Sequence, residues 1–317
     1  MSKFSKGTLK ENNAIPQGPV IIKPKNKIAP YMLLLPWFIG IILFRIYPII
    51  MSLWYSTRDF RIIGGDQGFV GFDNFLRLFD PNHARFISLF GQSVEATLRY
   101  VVFGTPMVLA SALFVAFILN FKLKGVNLFR TAYYVPSILG GNVAVSLLWI
   151  QVFGQAGPVN TVLQAIGLEP VSWLRSVEFA PFTLVFLSAW QFGSVMLIFL
   201  AALQNVSPSL YEAASIDGAR KWRQFVSITL PIITPVVLFN TINVLLRHFQ
   251  EFNSAFLVTN RGPANATYFL NILIYEFAFR RQEFGVASAM TWIYLLLIGI
   301  LTLILFFSSK YWVHYND

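Results

Sequence analysis

The 317-residue chain has no cysteine, three histidines and only 12% charged residues. The first absence excludes disulfides and thiolate metal sites. His83, His248 and His314 are scattered along the sequence and are read as interfacial or loop residues rather than ligands. No G-x-x-x-x-G-K-[ST] phosphate loop occurs, so the chain offers no P-loop for ATP. No nucleophile–base or metal spacing marks an enzyme, and no cofactor is expected on this chain. Soluble domains carry about 25% charged residues. With 56% hydrophobic residues and a mean hydropathy of +0.61, this sequence reads instead as a protein embedded in the lipid bilayer.

What charge there is leans one way, to a net +10. A basic surplus can signal nucleic acid, but its position argues against that partner. All ten lysines fall in four places: Lys3 to Lys27 in the N-terminal tail, Lys122 and Lys124, Lys221, and Lys310. Apolar runs at about 31–53, 93–119, 128–153, 180–204, 231–256 and 286–308 put those four places on one side. Short-loop lysine and arginine mark the cytoplasmic side. The expectation is an all-α membrane protein of six transmembrane helices with both termini inside. A flexible cytoplasmic arm is expected over 1–29, a membrane domain over 30–309 with a cytoplasmic loop at 205–230, and a cytoplasmic tail over 310–317. The first apolar run is long enough to span, and its charged leader is too long for a cleaved signal peptide.

Several local readings follow. Residues 54–92 form a long outer loop in which FVGFDNFLRLF is a short amphipathic piece. Glu95 and Arg99 are an i,i+4 pair. Pro136, followed by the small residues Ser137 to Gly141, predicts a kink in the third run. The polar stretch Leu210 to Pro235 reads as two short helices. Ser209 and Glu212 have capping-box spacing, and Ser207 with Pro208 at the first position is an equally good start. Asp217-Gly218 is the turn that ends the first helix. Trp222, Phe225 and Ile228 share a face of the second, which Pro231 closes.

Inside the membrane, Asn240, Asn243 and Arg247, with the adjacent Gln250 and Glu251 next, follow at steps of three or four residues and stack on one stripe. A charge at a helix centre costs roughly 2.5–3.5 kcal/mol, so Arg247 needs a wet or paired environment. Either it pairs with Glu251 to brace the bundle, or the stripe lines a substrate path. In the fourth run, Ser188, Gln191 and Ser194, with Trp190 beside them, suit the hydroxyls and C–H faces of a sugar.

Glu212-Ala213-Ala214, Gly218 and Ile228-Thr229-Leu230-Pro231 closely resemble the EAA loop of permease subunits from type I ATP-binding-cassette importers. FVGFDNF, Gly157-Pro158-Val159-Asn160 and the Thr259 to Pro263 turn resemble further hallmarks of the carbohydrate branch, from about residue 31 onward. Many relatives have TGGGP at that turn, where this chain has Asn260 and Arg261. The resemblance implies a type I permease fold in a bacterial cytoplasmic membrane. It implies coupling to an ATPase through Glu212, Ala213, Ala214, Asp217 and Gly218. The partners it implies are a second homologous permease, two ATP-binding subunits that hold ATP and magnesium, an extracellular binding protein and a carbohydrate. Gln250, Glu251 and Asn253 align with a stretch that contacts sugar in the larger permease of maltose transporters, although Gln250 and Glu251 stand where asparagines do. Glycerol phosphate or another polyol is the alternative cargo. An ion-coupled secondary transporter would instead show broken half-helices around an ion site, and the sequence has no paired intramembrane carboxylates for one.

The cysteine-free background allows a direct check of orientation. Single cysteines at Lys25 and Ser176 are expected to react with an impermeant maleimide from opposite sides of the membrane; labelling from one side overturns the topology.

Overall fold

The computed structural model describes residues 29–121 and 125–314. Most of the expected arm, the Lys122/Lys124 pair and the last three residues of the expected tail lie outside the described residues. Of the described residues, those up to Met51 form one unit and those from Ser52 onward another. The first helix, α1, runs Ala29–Ile41, Ile42–Ile46 as a π turn, and Tyr47–Ser56. Pro48 does not interrupt it. The wider π turn ends two residues before the proline, where it accommodates a ring that would clash with the i−4 carbonyl of a regular helix.

The expected outer loop is more ordered than its sequence suggests. Strands β1 (Arg58–Arg61) and β2 (Gly65–Phe69) form an antiparallel hairpin, so the protein is not helical throughout. The amphipathic piece contributes only the four-residue helix α2, Asp73–Leu76. Its Asn74 is buried and donates to the carbonyls of Ser56 (3.0 Å) and Arg58 (2.8 Å). Those bonds tie the hairpin base to the helix that follows it.

Helix α3 (Ala84–Leu119) starts nine residues before the apolar run. Helices α4 (Val126–Leu139) and α5 (Val143–Val152) meet at 108°. The expected kink at Pro136 is therefore displaced: Pro136 stays within α4, and the chain turns at Gly140, whose φ of 59° favours glycine. Asn142 then caps α5 by accepting from the Val145 N–H at 2.9 Å. A short α6 (Pro158–Ala165) lies in the next loop. The fourth run is also broken, into α7 (Phe179–Trp190) and α8 (Gly193–Gln204), bent by 49°. Helix α9 spans Pro208–Ile216.

Pro231 does not close a helix. Lys221–Gln224, the π turn Phe225–Thr229 and Leu230–Phe249 form one continuous helix, α10. This π turn too ends two residues before its proline. Pro235, further along, has no N–H for the Pro231 carbonyl, and the Thr234 hydroxyl takes that acceptor at 2.6 Å. Short helices α11 (Asn253–Val258) and α12 (Leu270–Tyr275, then the π turn Glu276–Arg280) precede α13, Phe284–Ser309. Among the described residues four helices are long and apolar enough to cross a membrane, and the count is six if each bent pair is one span.

The core of the larger unit has two parts. Val108, Leu119, Met196, Phe199, Leu203 and Ile233 pack at the end that carries α9. Tyr100, Leu184, Phe249, Phe269, Ile272 and Met290 pack toward the other. Lipid tails are as apolar as these side chains, so close packing and interhelical hydrogen bonds must hold such helices together. Gly193 lets α8 approach the backbone of α4 closely. A Cβ there would lie 2.3 Å from the Tyr133 carbonyl oxygen and 2.7 Å from the Tyr134 Cα. Both are backbone atoms and cannot rotate away.

Gly193→Ala is expected to lower the stability of the solubilised complex by about 1–3 kcal/mol, the usual cost of overpacking. Gly299→Ala, which meets nothing within 4 Å, is expected to be neutral. Thermal scans by fluorescence-detected size exclusion compare the two, and equal midpoints would overturn the close-contact argument.

Candidate functional site: a polar cleft at two broken spans

The two interruptions lie against each other. The Ser137 hydroxyl of α4 donates to the Gln191 carbonyl at 2.9 Å and accepts from the Ser194 N–H at 3.1 Å. In return the Gln191 side-chain amide donates to the Gly140 carbonyl at 3.1 Å. Backbone groups freed by each break are thus satisfied by the other, as an apolar surround requires. A cleft of about 350 Å³ opens here, lined by Gln191, Arg247, Gln250, Glu251 and Asn253 together with Ser137, Gly140, Gly141 and Phe252. It brings together five of the seven residues expected on a substrate path.

The other two are elsewhere. Asn240 is buried in the bundle, and Asn243 is exposed with its amide donating to the Phe239 carbonyl at 2.7 Å. Helical spacing fixes a direction around α10, but each turn along the axis meets a different neighbour. Only the last turn reaches the cleft.

Arg247 and Glu251 form no ion pair, so of the two readings of this pair the brace is not what the structure shows. One Glu251 carboxylate oxygen instead accepts from the Ser254 N–H at 2.8 Å, capping α11. Arg247 remains exposed at the cleft. The fourth-run readings divide in the same way. Gln191 lines the cleft, whereas Trp190 packs on Trp149 with centroids 5.7 Å apart. Ser188 is buried and bonds back to the Val185 carbonyl.

His248 is not interfacial. It is buried, with Nδ1 2.9 Å from the Thr105 hydroxyl and Nε2 3.2 Å from the Ser188 hydroxyl. Tyr100 meets its ring edge-on, and a Cβ on Gly104 would come within 3.1 Å of it. This imidazole joins α3, α7 and α10 and so sets which face of α10 turns Arg247 to the cleft. One sequence signal was available: a histidine well inside an apolar run needs hydroxyl partners, and Thr105 and Ser188 lie in two other runs.

At the opposite end, α9 starts with Pro208 after Ser207, whose hydroxyl lies 2.8 Å from that of Ser209. The Ser209–Glu212 capping box does not form. The helix ends in a Schellman turn, with Ala219 N–H on the Ala214 carbonyl (2.9 Å) and Gly218 N–H on that of Ser215 (3.1 Å). Gly218 supplies the required positive φ, +77°. Gln224 is buried beneath and donates to Ser215 Oγ and the Ala219 carbonyl, while the Tyr211 hydroxyl is 2.7 Å from that of Thr229. These bonds fix α9 to the foot of α10. Glu212, Ala213, Asp217 and Gly218 are exposed and Ala214 half-buried, beside Ile216 at 87% and Trp222 at 74% exposure.

Broken spans around a polar cleft, with a rigid loop displayed at one end, define a multi-pass membrane permease. The chain belongs to the family of binding-protein-dependent transport system inner membrane components, whose pattern matches residues 100–314. It is 39% identical over 296 residues to the Bacillus subtilis (strain 168) probable ABC transporter permease protein YesP, covering 92% of this chain and 94% of that one. It is 34% identical to the lactose transport system permease protein LacF of Rhizobium radiobacter, covering 91% and 96%. Its fold matches a chain of a bacterial alginate ABC transporter, crystallised in complex with an alginate-pentasaccharide-bound periplasmic protein, with a TM-score of 0.77, 22% identity and coverage of 91% and 96%. The fold is therefore the type I permease fold. Two half-helix pairs, which a secondary transporter would also show, belong here to that fold.

Proposed function

We propose that this chain forms half of the pathway by which an ATP-driven importer carries an oligosaccharide across the bacterial cytoplasmic membrane. The observation that carries the reading is the convergence of Gln191, Arg247, Gln250, Glu251 and Asn253 on one cleft where two spans are broken. Amide and guanidinium groups held there replace the water that a sugar's hydroxyls give up. The names of relatives favour carbohydrate: LacF for lactose, and the Bacillus subtilis permease AraP, 30% identical over 88% of this chain, for arabinooligosaccharides. The sn-glycerol-3-phosphate permease UgpA of Shigella flexneri, 32% identical over 89% of this chain, supports the polyol phosphate as second reading.

Helix α9 is the coupling element. Its exposed face, with Ile216 and Trp222 alongside, seats in an ATPase subunit on the cytoplasmic side. A second permease completes the path, and a binding protein delivers the cargo at the far end. ATP and magnesium stay on the partners. Closure of the ATPases moves α9, and its bonds to Gln224 and Thr229 pass the motion to α10 as a rigid-body switch.

Two experiments on the reconstituted importer test these roles. Gln250→Ala with Asn253→Ala is expected to reduce uptake about ten-fold across a panel of lactose, an arabino-oligosaccharide and sn-glycerol 3-phosphate, for whichever is carried, with assembly and basal ATPase retained. Wild-type uptake overturns the path assignment. Gly218→Pro, whose ring fixes φ near −65° and so forbids the Schellman turn, is expected to leave insertion intact and to abolish binding-protein-stimulated ATP hydrolysis. Normal stimulation in that variant overturns the coupling role.

A further inference from the structure

We infer that the carried carbohydrate is anionic, and that a second site for its carboxylates lies between the start of α3, the loop 259–269 and α12. A cleft of about 520 Å³ opens there, at the end of the bundle opposite α9, and shares Arg85, Leu89 and Arg281 with an adjoining space of about 540 Å³. That volume suits a sugar residue or more rather than a lone phosphate. Arg85 and Arg281 are exposed and have no ion-pair partner among the described residues. The Arg281 guanidinium lies 4.2 Å from the centre of the Phe277 ring, which holds it in place.

The single acid in the lining is already used. Glu276 pairs with Arg261, lies 3.6 Å from Arg280 and accepts from the Tyr268 hydroxyl. Burial, then the neighbouring Glu276 carboxylate, pushes the Tyr268 phenol above its ordinary range, so it remains a donor. The Glu276–Arg261 bond also fixes the turn that forms the wall. Asn260 and Arg261 hold φ of 47° and 70° there, conformations that glycine adopts at no cost. Arg261 thus holds a strained position that closes the cleft, one that glycine would occupy more easily. Two free guanidinium heads with Ser88 and Gln92 beside them match a planar carboxylate flanked by hydroxyls, since guanidinium grips carboxylates through paired N–H donors. Arg247, which shares the inner cleft with Glu251 but forms no ion pair among the described residues, is the next cation on the path; this half of the inference rests on the path assignment above.

The test is saturation-transfer NMR on the assembled importer in nanodiscs without binding protein, using trigalacturonate and its fully methyl-esterified form, which keeps the sugar rings and hydroxyls and lacks the negative charges. Wild type is expected to favour the acid about ten-fold, as charged hydrogen bonds of this kind confer. Arg85→Gln with Arg281→Gln, and separately Arg247→Gln, are each expected to cut that preference several-fold, and Arg247→Lys to restore part of it. Equal signals from both probes in wild type, with Gln250→Ala weakening both, overturn the anionic cargo and leave the path intact. No response of either probe to Gln250→Ala overturns both. If the arginine pair matters only when phosphatidylglycerol is in the nanodisc, a lipid headgroup occupies the outer cleft and that site is overturned.

Discussion

In hydrocarbon no solvent stands ready for a backbone group that has lost its helical partner. Two of the spans here are broken nonetheless, and the structure tolerates this because each break supplies what the other lacks. Ser137 serves the backbone at 191 and 194, and the Gln191 amide serves Gly140. The exchange requires α4 and α8 to touch backbone to backbone, which is what the missing side chain of Gly193 permits. The polar cleft is a by-product of that arrangement, since the groups around a satisfied break are already hydrophilic and already fixed.

The same economy explains the position of Arg247. A guanidinium on a membrane helix needs its face chosen for it, and the adjacent His248 makes that choice. Held by Thr105 and Ser188 on two other helices, the imidazole sets the rotation of α10, and the arginine follows about 100° round the helix. Hydroxyl–imidazole bonds do the positioning, and the guanidinium faces the cavity without an ion pair among the described residues.

Much of the architecture was legible in the sequence because its signals were long and redundant: apolar runs of spanning length and one short motif of fixed spacing. The breaks were not. Pro136 reads as a kink, yet proline within α4 costs one hydrogen bond, whereas the chain turns by 108° at Gly140; the decisive residue was the one with no side chain to read. Pro231 misled in the opposite sense, because a π turn upstream absorbs its ring. The hairpin at 58–69 is held by Asn74, which lies beyond it and bonds across to residues 56 and 58. Of the polar stripe, helical spacing placed Arg247, Gln250 and Glu251 on one side correctly, but the axial level that excludes Asn240 and Asn243 depends on α4 and α7, which periodicity in α10 does not encode. The spacing left open whether Glu251 pairs with Arg247, and the backbone N–H of Ser254, three residues on, takes the carboxylate instead.

The uninterrupted course of α10 from Lys221 to Phe249 has a mechanical consequence. At 1.5 Å per residue, 29 residues make a strut of roughly 43 Å, with Trp222 at its foot and Arg247 near its tip. A helix closed at Pro231 would have acted as a hinge and lost the stroke. As a strut, a tilt of about five degrees about its foot carries its tip roughly 4 Å, and because His248 ties that tip to Thr105 and Ser188, α3 and α7 must travel with it.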